Sequence, residues 1–295
     1  MGIKSKTVDE PSKSFIPIRE ALDQTFAEMD KLSSEFEDPF PIEMGYTFLN
    51  QMLIGIEKPR LTIISTPASV GTGYLGTSII ADLALNNKRS LGCFSLETSN
   101  TYFVSKLISV VADVDLALMR SGRLTSDQWP TISSAVRDIA ETKIFIDDTR
   151  PFSVKTFHRE ALALMKETTI DLFVIDNLQY ISCKKYHKNR ARKYQKICQS
   201  LKDISDELNV SILLMSQFSD EYDPDDIDVT NACGSLAFLQ DFGKIPDAEL
   251  CLIPGKQDRE GRVFSLHICR NREGVTGTID LKQNLSGGGF EQYWE

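Results

Sequence analysis

Five short, nearly unbroken apolar runs govern what this chain can fold into: "LTIIS" (61–65), "LGCFSL" (91–96), "KIFIDD" (143–148), "DLFVID" (171–176) and "SILLMSQ" (211–217). A strand with one wet face alternates apolar and polar residues. These runs do not, so they predict strands covered on both faces, as in a parallel sheet. Helix-spaced segments lie between them, such as Leu75, Ile79, Ile80 and Leu83 after the first run, and provide the crossovers that parallel strands require. Three later runs, "AELCLIP" (248–254), "RVFSLHICR" (262–270) and "TGTIDLKQN" (276–284), follow one another through short polar turns. They predict an antiparallel extension. The class is α/β: a doubly wound, mainly parallel sheet with an antiparallel C-terminal extension.

A chain of 295 residues, 41% hydrophobic, can bury one sizeable core with extensions. The expected organisation is a disordered polar tail (1–14), a linker helix and linker (15–44) and the α/β domain (45–295). In "IREALDQTFAEMDKL", Ile18, Leu22, Phe26, Met29 and Leu32 fall at helical spacing, and the acidic, Pro-broken "SSEFEDPFPIE" follows. An apolar stripe on such a segment docks either on its own core or on a neighbouring subunit. No stretch approaches the apolar length of a membrane span, and the N-terminus lacks the apolar core of a secretory signal. Met1-Gly2 with Ser5 matches a myristoylation pattern only loosely. Six cysteines (Cys93, Cys183, Cys198, Cys233, Cys251, Cys269) show no metal-like spacing and read as reduced thiols, several of them in apolar runs. The expected location is cytoplasmic, with no membrane partner.

Between the first apolar run and the first helix lies "STPASVGTGYLGTS" (65–78). A Gly-rich turn between a strand and a helix N-terminus aims backbone N–H groups and the helix dipole at an anion, so Ser69, Gly71, Thr72 and Gly73 are candidate phosphate-facing residues. A working nucleotide loop ends in Gly-Lys-Ser/Thr, with the Lys on the β/γ phosphates and the hydroxyl on Mg²⁺. This one reads Gly71-Thr72-Gly73.

Three strand ends carry polar residues where sheets of this kind place their chemistry. "FSLET" presents Glu97, suited to orienting or deprotonating an attacking water. "FVIDNLQ" presents Asp176, as a carboxylate that reaches Mg²⁺ through water. "LLMSQ" presents Gln217, a neutral hydrogen-bonder that can sense a γ-phosphate.

In this order and spacing the chain resembles the C-terminal, RecA-like motor domain of DnaB-type replicative helicases. "FSLETSN" is similar to that family's Ser-Leu-Glu motif, "DLFVIDNLQYIS" to its Walker B strand, and "SLKDISDELNVSILLMSQFS" to the helix and strand that follow. "CRNREGVTGTIDL" resembles the family's Lys-Gln-Arg-Asn-Gly-Pro-Thr-Gly signature. That match puts Arg270 and Arg272 at the trans-acting Lys and arginine finger. It does not extend to the family's separate N-terminal helical domain. The resemblance implies ATP and Mg²⁺ as cofactors, with Asp176 on the metal, and a self-associating motor.

Three departures redirect the expectation. An ungapped alignment of the loop puts Thr72 at the Walker Lys and Gly73 at the Walker Thr, so the charge and the metal-bound hydroxyl are both missing. Preorganised charge is commonly the largest catalytic contribution, so ATP binding should be weak or absent and hydrolysis very slow, unless a lysine from elsewhere substitutes. The loop after the Gln217 strand, basic in the family, reads "SDEYDPDDIDVT", with Asp220, Glu221, Asp223, Asp225, Asp226 and Asp228. The usual Arg-Glu-Ser-Gly appears as Gln240-Asp241-Phe242-Gly243. Acidic residues there repel phosphates.

In contrast, "KKYHKNRARKYQK" (184–196) offers Lys184, Lys185, Lys188, Arg190 and Arg192 with interleaved tyrosines. That segment suits single-stranded DNA or an acidic partner, or forms a solvated loop leading into a helix buried through Ile197, Leu201, Ile204 and Leu208. A net charge of −9 argues against bulk electrostatic coating of nucleic acid. The leading expectation is an ATPase-impaired DnaB-family homologue in DNA replication, a partner, regulator or subunit of a helicase assembly. The alternatives are an active ATP-dependent 5'-3' helicase with an unusual phosphate loop, and a non-enzymatic interaction module.

Overall fold

The computed structural model describes residues 17–34, 59–67, 72–183, 186, 188–218, 246–254, 263–272, 275–284 and 286–293. The tail (1–14), the acidic segment 219–230, Gln240–Gly243, Cys233 and the linker after Ser34 lie outside the described residues. The chain divides into two compact units, Met1–Pro39 and Phe40–Glu295.

In the first unit, α1 (Ile18–Ser34) is an amphipathic helix. Ile18, Leu22 and Phe26 are 76%, 60% and 74% exposed, so three large apolar side chains of its stripe face water.

The second unit is built on one nine-stranded sheet in the order β3-β2-β4-β5-β1-β6-β7-β8-β9. The strands are β1 (Leu61–Pro67), β2 (Ser90–Ser95), β3 (Lys143–Asp147), β4 (Leu172–Asp176), β5 (Ser211–Phe218), β6 (Ala248–Pro254), β7 (Val263–Asn271), β8 (Gly277–Gln283) and β9 (Phe290–Gln292). Pairing is parallel from β3 through to β6. It turns antiparallel from β6 to β9. All five predicted parallel runs form as read; β6, expected in the antiparallel extension, pairs parallel with β1 on one side and antiparallel with β7 on the other, so the extension begins from its far edge. The short ninth strand, after a Gly-rich turn, adds to that reading.

The unbroken apolar runs are explained by burial on two sides. In β5, Leu213 and Met215 face one core with α2 (Thr72–Leu85), while Ile212 and Leu214 face the other. The first core also takes Leu75, Ile79, Ile80 and Leu83 of α2, and Phe103 and Leu107 of α3 (Asn100–Ala112). The second takes Phe157 and Ala161 of α6 (Val154–Glu167) and Ile197, Leu201 and Ile204 of α7 (Arg190–Leu208). Phe94, Phe157 and Phe173 meet there, edge to face or tilted, with centroids 5.4 to 6.0 Å apart. Two further helices, α4 (Leu116–Ser121) and α5 (Gln128–Ala140), lie between α3 and β3; α5 packs Ile132 and Ala135 into a satellite cluster with Ala112 of α3. Among the described residues no helix is long and apolar enough to cross a membrane.

α3 is the helix that matters most for the site, and its placement is over-determined. Ser99 caps it by accepting the Tyr102 N–H, and Asp148 Oδ2 accepts the Asn100 N–H at 2.8 Å. Phe103 and Leu107 anchor the buried face, which carries Lys106 between them.

Candidate functional site

Because β1, β2, β4 and β5 are parallel neighbours, their carboxyl ends meet on one edge of the sheet. The register sets Ser95 opposite Asp176 and Thr66 opposite Gln217. Glu97, just beyond β2, accepts two hydrogen bonds on Oε2, from Asn177 Nδ2 at 2.8 Å and Gln217 Nε2 at 3.1 Å. A 3-10 turn after β4 (Leu178–Tyr180) delivers Gln179, whose Nε2 donates to the Gln217 carbonyl at 2.6 Å. Gln179 Oε1 accepts the Gln217 N–H at 3.2 Å. The structure thus brings Glu97, Asp176 and Gln217 together, as the sequence predicts. It adds Asn177 and Gln179 as the groups that tie the three strand ends.

Of the predicted phosphate-facing residues, Ser69 and Gly71 lie outside the described residues. Thr72 opens α2, and Gly73 follows in its first turn. The space beside Gly73 is taken by a residue that belongs to none of the motifs. A Cβ at position 73 would stand 2.2 Å from Lys106 Nζ and 3.8 Å from Asp176 Oδ2. Lys106 is only 7% exposed. Its ammonium lies 6.0 Å from the Tyr74 ring centre and 5.7 Å from that of Tyr102. One signal is legible in "YFVSKLISVV": Lys106 sits three residues after Phe103 and one before Leu107, on the apolar face of α3, where a charge is out of place.

Asp176 is 9% exposed, and its Oδ1 has no hydrogen-bond partner among the described residues. Burial pushes its carboxyl up to about 6; the Lys106 ammonium pulls it back down, and the Glu97 charge adds to the rise. Neighbouring Cys93 is pushed up to about 12, chiefly by burial, which makes it an inert thiol.

The donor set can be compared with what a nucleotide site needs. An anion fits: a helix N-terminus leaves N–H groups without intrahelical partners, and the Lys106 ammonium lies beside the first turn of α2. Mg²⁺ does not fit. Position 73 offers no hydroxyl, an ammonium fills that space, and Asp176 is the acidic side chain that reaches it among the described residues. Among the described residues no cluster of His, Cys, Asp or Glu is arranged to hold a metal ion.

The remaining predicted residues lie elsewhere. Arg270, on β7, stands opposite Glu249, and the Arg272 guanidinium donates to Asp247 Oδ1 at 3.2 Å. Asp247 precedes β6 and accepts the Leu61 N–H at the start of β1. Both arginines therefore sit at the amino-end edge of the parallel strands, across the sheet from Glu97. Arg190 and Arg192 open α7, where Asn189 caps the helix by accepting the Arg192 N–H, and Lys188 lies just before the cap. Lys184 and Lys185 lie outside the described residues.

Comparison with known proteins fits this geometry. The DnaB-like helicase C terminal domain family matches residues 41–292. The replicative DNA helicase DnaB of Geobacillus stearothermophilus is 25% identical over 92% of this chain and 60% of its own length. That of Nostoc sp. is 29% identical over 84% of this chain and 28% of its own. The chain therefore spans at most about three-fifths of these relatives. In fold it is similar to a solved ATPase domain, with a TM-score of 0.77 at 20% identity over 94% of this chain and 99% of that one. It is also similar to a DnaB-like replicative helicase solved in a study of its interactions with primase, with a TM-score of 0.76 at 21% identity over 95% of this chain and 68% of that one. Matched from residue 41 to residue 292, this chain belongs to the DnaB-like helicase C-terminal domain family.

Proposed function

We propose that this chain is a DnaB-type helicase homologue acting in DNA replication in the cytoplasm, impaired in ATP hydrolysis and working as a partner, regulator or subunit of a helicase assembly. One observation carries this reading: at the start of α2 the metal-binding hydroxyl is replaced by Gly73, and the Lys106 ammonium occupies the space beside it. A site that cannot seat Mg²⁺ between the phosphates and Asp176 loses the charge neutralisation that phosphoryl transfer depends on. The test is ATP turnover by the purified chain, alone, with single-stranded DNA and with an active DnaB-type helicase. Turnover by the chain alone is expected at background. Robust Mg²⁺-dependent turnover abolished by Glu97→Gln would overturn the reading.

A second reading, an active ATP-dependent helicase, is favoured by the intact Glu97–Asn177–Gln217 network. The same turnover measurement separates the two.

A further inference from the structure

Lys106 is an unusual lysine. It is only 7% exposed, and among the described residues its ammonium makes neither a hydrogen bond nor an ion pair. Two tyrosine ring faces at 5.7 and 6.0 Å are its neighbours, and cation–π contacts of that length compensate only weakly for lost hydration. The Asp176 carboxylate lies close enough to feel this charge, yet the two make no ion pair, so the ammonium keeps its hydrogen-bond donors for a further anion. Ser99, Asp148, Phe103 and Leu107 fix the helix that carries it. The side chain is aimed at the first turn of α2, where the backbone N–H groups have no partner within the helix itself.

The place it occupies is specific. A side chain at position 73 would begin 2.2 Å from Nζ and 3.3 Å from Cε, so the residue there must lack a Cβ for Lys106 to lie as it does. Gly73 and Lys106 are therefore two halves of one arrangement. Asp176, 3.8 Å from the same Cβ position, faces that space from β4.

We propose that Lys106 is the phosphate-binding cation of this site and stands where the hydroxyl-held metal would be, so that the chain binds a nucleoside polyphosphate without a divalent cation. The proposal rests on the reading of this edge as a nucleotide site and goes further in assigning the charge. The ligand's phosphates meet the ammonium and the α2 N–H groups. A divalent cation placed beside the ammonium is repelled, so metal brings no gain in affinity.

The test is a titration of the full chain with a ribose-labelled fluorescent ATP, in Mg²⁺ and in EDTA, read as anisotropy. Equal or tighter binding in EDTA is expected. Lys106→Met should weaken binding at least about tenfold, the scale of one charge-assisted hydrogen bond, while Lys106→Arg retains most of it. Gly73→Ala is the companion variant. Its added methyl displaces the flexible end of Lys106 while favouring the helix, so binding should fall with the fold intact by circular dichroism. Binding that requires Mg²⁺ and ignores Lys106→Met would overturn the proposal. So would a parent chain that binds no nucleotide in either condition, although the impaired-hydrolysis and assembly reading would then still stand. Robust Mg²⁺-dependent turnover would remove both.

Discussion

Gln217 donates its side-chain amide to Glu97 Oε2 at 3.1 Å, so a residue of β5 holds one beyond β2 across the intervening β4. Asn177 donates to the same oxygen from the end of β4. A carboxylate oxygen shared by two amides from neighbouring strands locks the edge of the sheet and orients Glu97.

The contact should be measurable as a coupling energy. In a double-mutant cycle of Glu97→Ala and Gln217→Ala, urea unfolding should give an interaction of about 0.5–1.5 kcal/mol. Additive single effects would mean that the two side chains do not meet in solution.

Restoring the two loop residues tests the Gly73–Lys106 arrangement from the other side. Thr72→Lys with Gly73→Thr supplies the missing charge and hydroxyl, but the new threonine side chain would start in the space held by Lys106 Nζ. The expected result is little or no Mg²⁺-dependent ATP binding in the double variant and a gain when Lys106→Met is added. Full Mg²⁺-dependent binding in the double variant alone would show that Lys106 moves aside without consequence.

What could and could not be read in the sequence follows from which contacts set each feature. "SILLMSQ" reads as a strand because burial on both faces leaves no alternation, and α2 reads from Leu75, Ile79, Ile80 and Leu83. Glu97, Asp176 and Gln217 are legible because each ends an apolar run. Asn177 and Gln179 lie inside a legible stretch, yet their roles depend on the turn at Leu178–Tyr180, which carries no periodic signal. Lys106 is visible as a charge on an apolar helical face, but its meeting with Gly73 is set by how α3 lies against α2. The two residues are on different helices with a strand between them, and no local pattern encodes that packing.

Asp247 links the amino-end edge of the sheet to acid stability. Burial alone would raise its carboxyl; the Leu61 N–H, Lys202 and Arg272 more than reverse that and hold it below the usual carboxylate range. Lys202 Nζ and Arg272 approach it at 3.0 and 3.2 Å. A carboxylate with a depressed folded pKa contributes its full stability above the unfolded value of about 3.9, and loses it as pH falls through the lower folded value. Asp247→Asn should therefore cost about 2 kcal/mol at pH 7 and progressively less as pH falls below the unfolded value, by urea unfolding. A cost independent of pH would show that the charge itself contributes nothing.

The basic stretch at α7 makes a separable prediction about DNA. Arg190 and Lys193 lie near the Tyr194 ring, and Lys188 stands just before the helix cap. Charge reversal at Lys184, Lys185, Lys188, Arg190 and Arg192 should remove most single-strand affinity. The remaining binding should also depend less on salt, by about 0.7 in log–log slope for each phosphate no longer engaged. Unchanged affinity and slope would place any nucleic-acid surface elsewhere.

Assembly is the prediction that distinguishes a motor relative from a free-standing domain. Ile18, Leu22 and Phe26 lie at helical spacing on α1 and are each at least 60% exposed. Burying side chains of this size is worth about 1.5–3 kcal/mol each, so the stripe has several kcal/mol to gain from an apolar partner. A partner built like this chain offers a heterologous contact that, repeated head to tail, can close into a ring. Arg270 and Arg272 sit at the amino-end edge of the parallel strands, across the sheet from Glu97 of the same chain, which agrees with the trans-acting role that the resemblance implies. We therefore expect self-association, or co-assembly with an active DnaB-type helicase, through α1. Leu22→Asp with Phe26→Asp should give smaller species in mass measurements while the core's thermal unfolding stays unchanged. A parent chain that remains monomeric at high concentration, and is not retained by an immobilised active helicase, would rule this contact out.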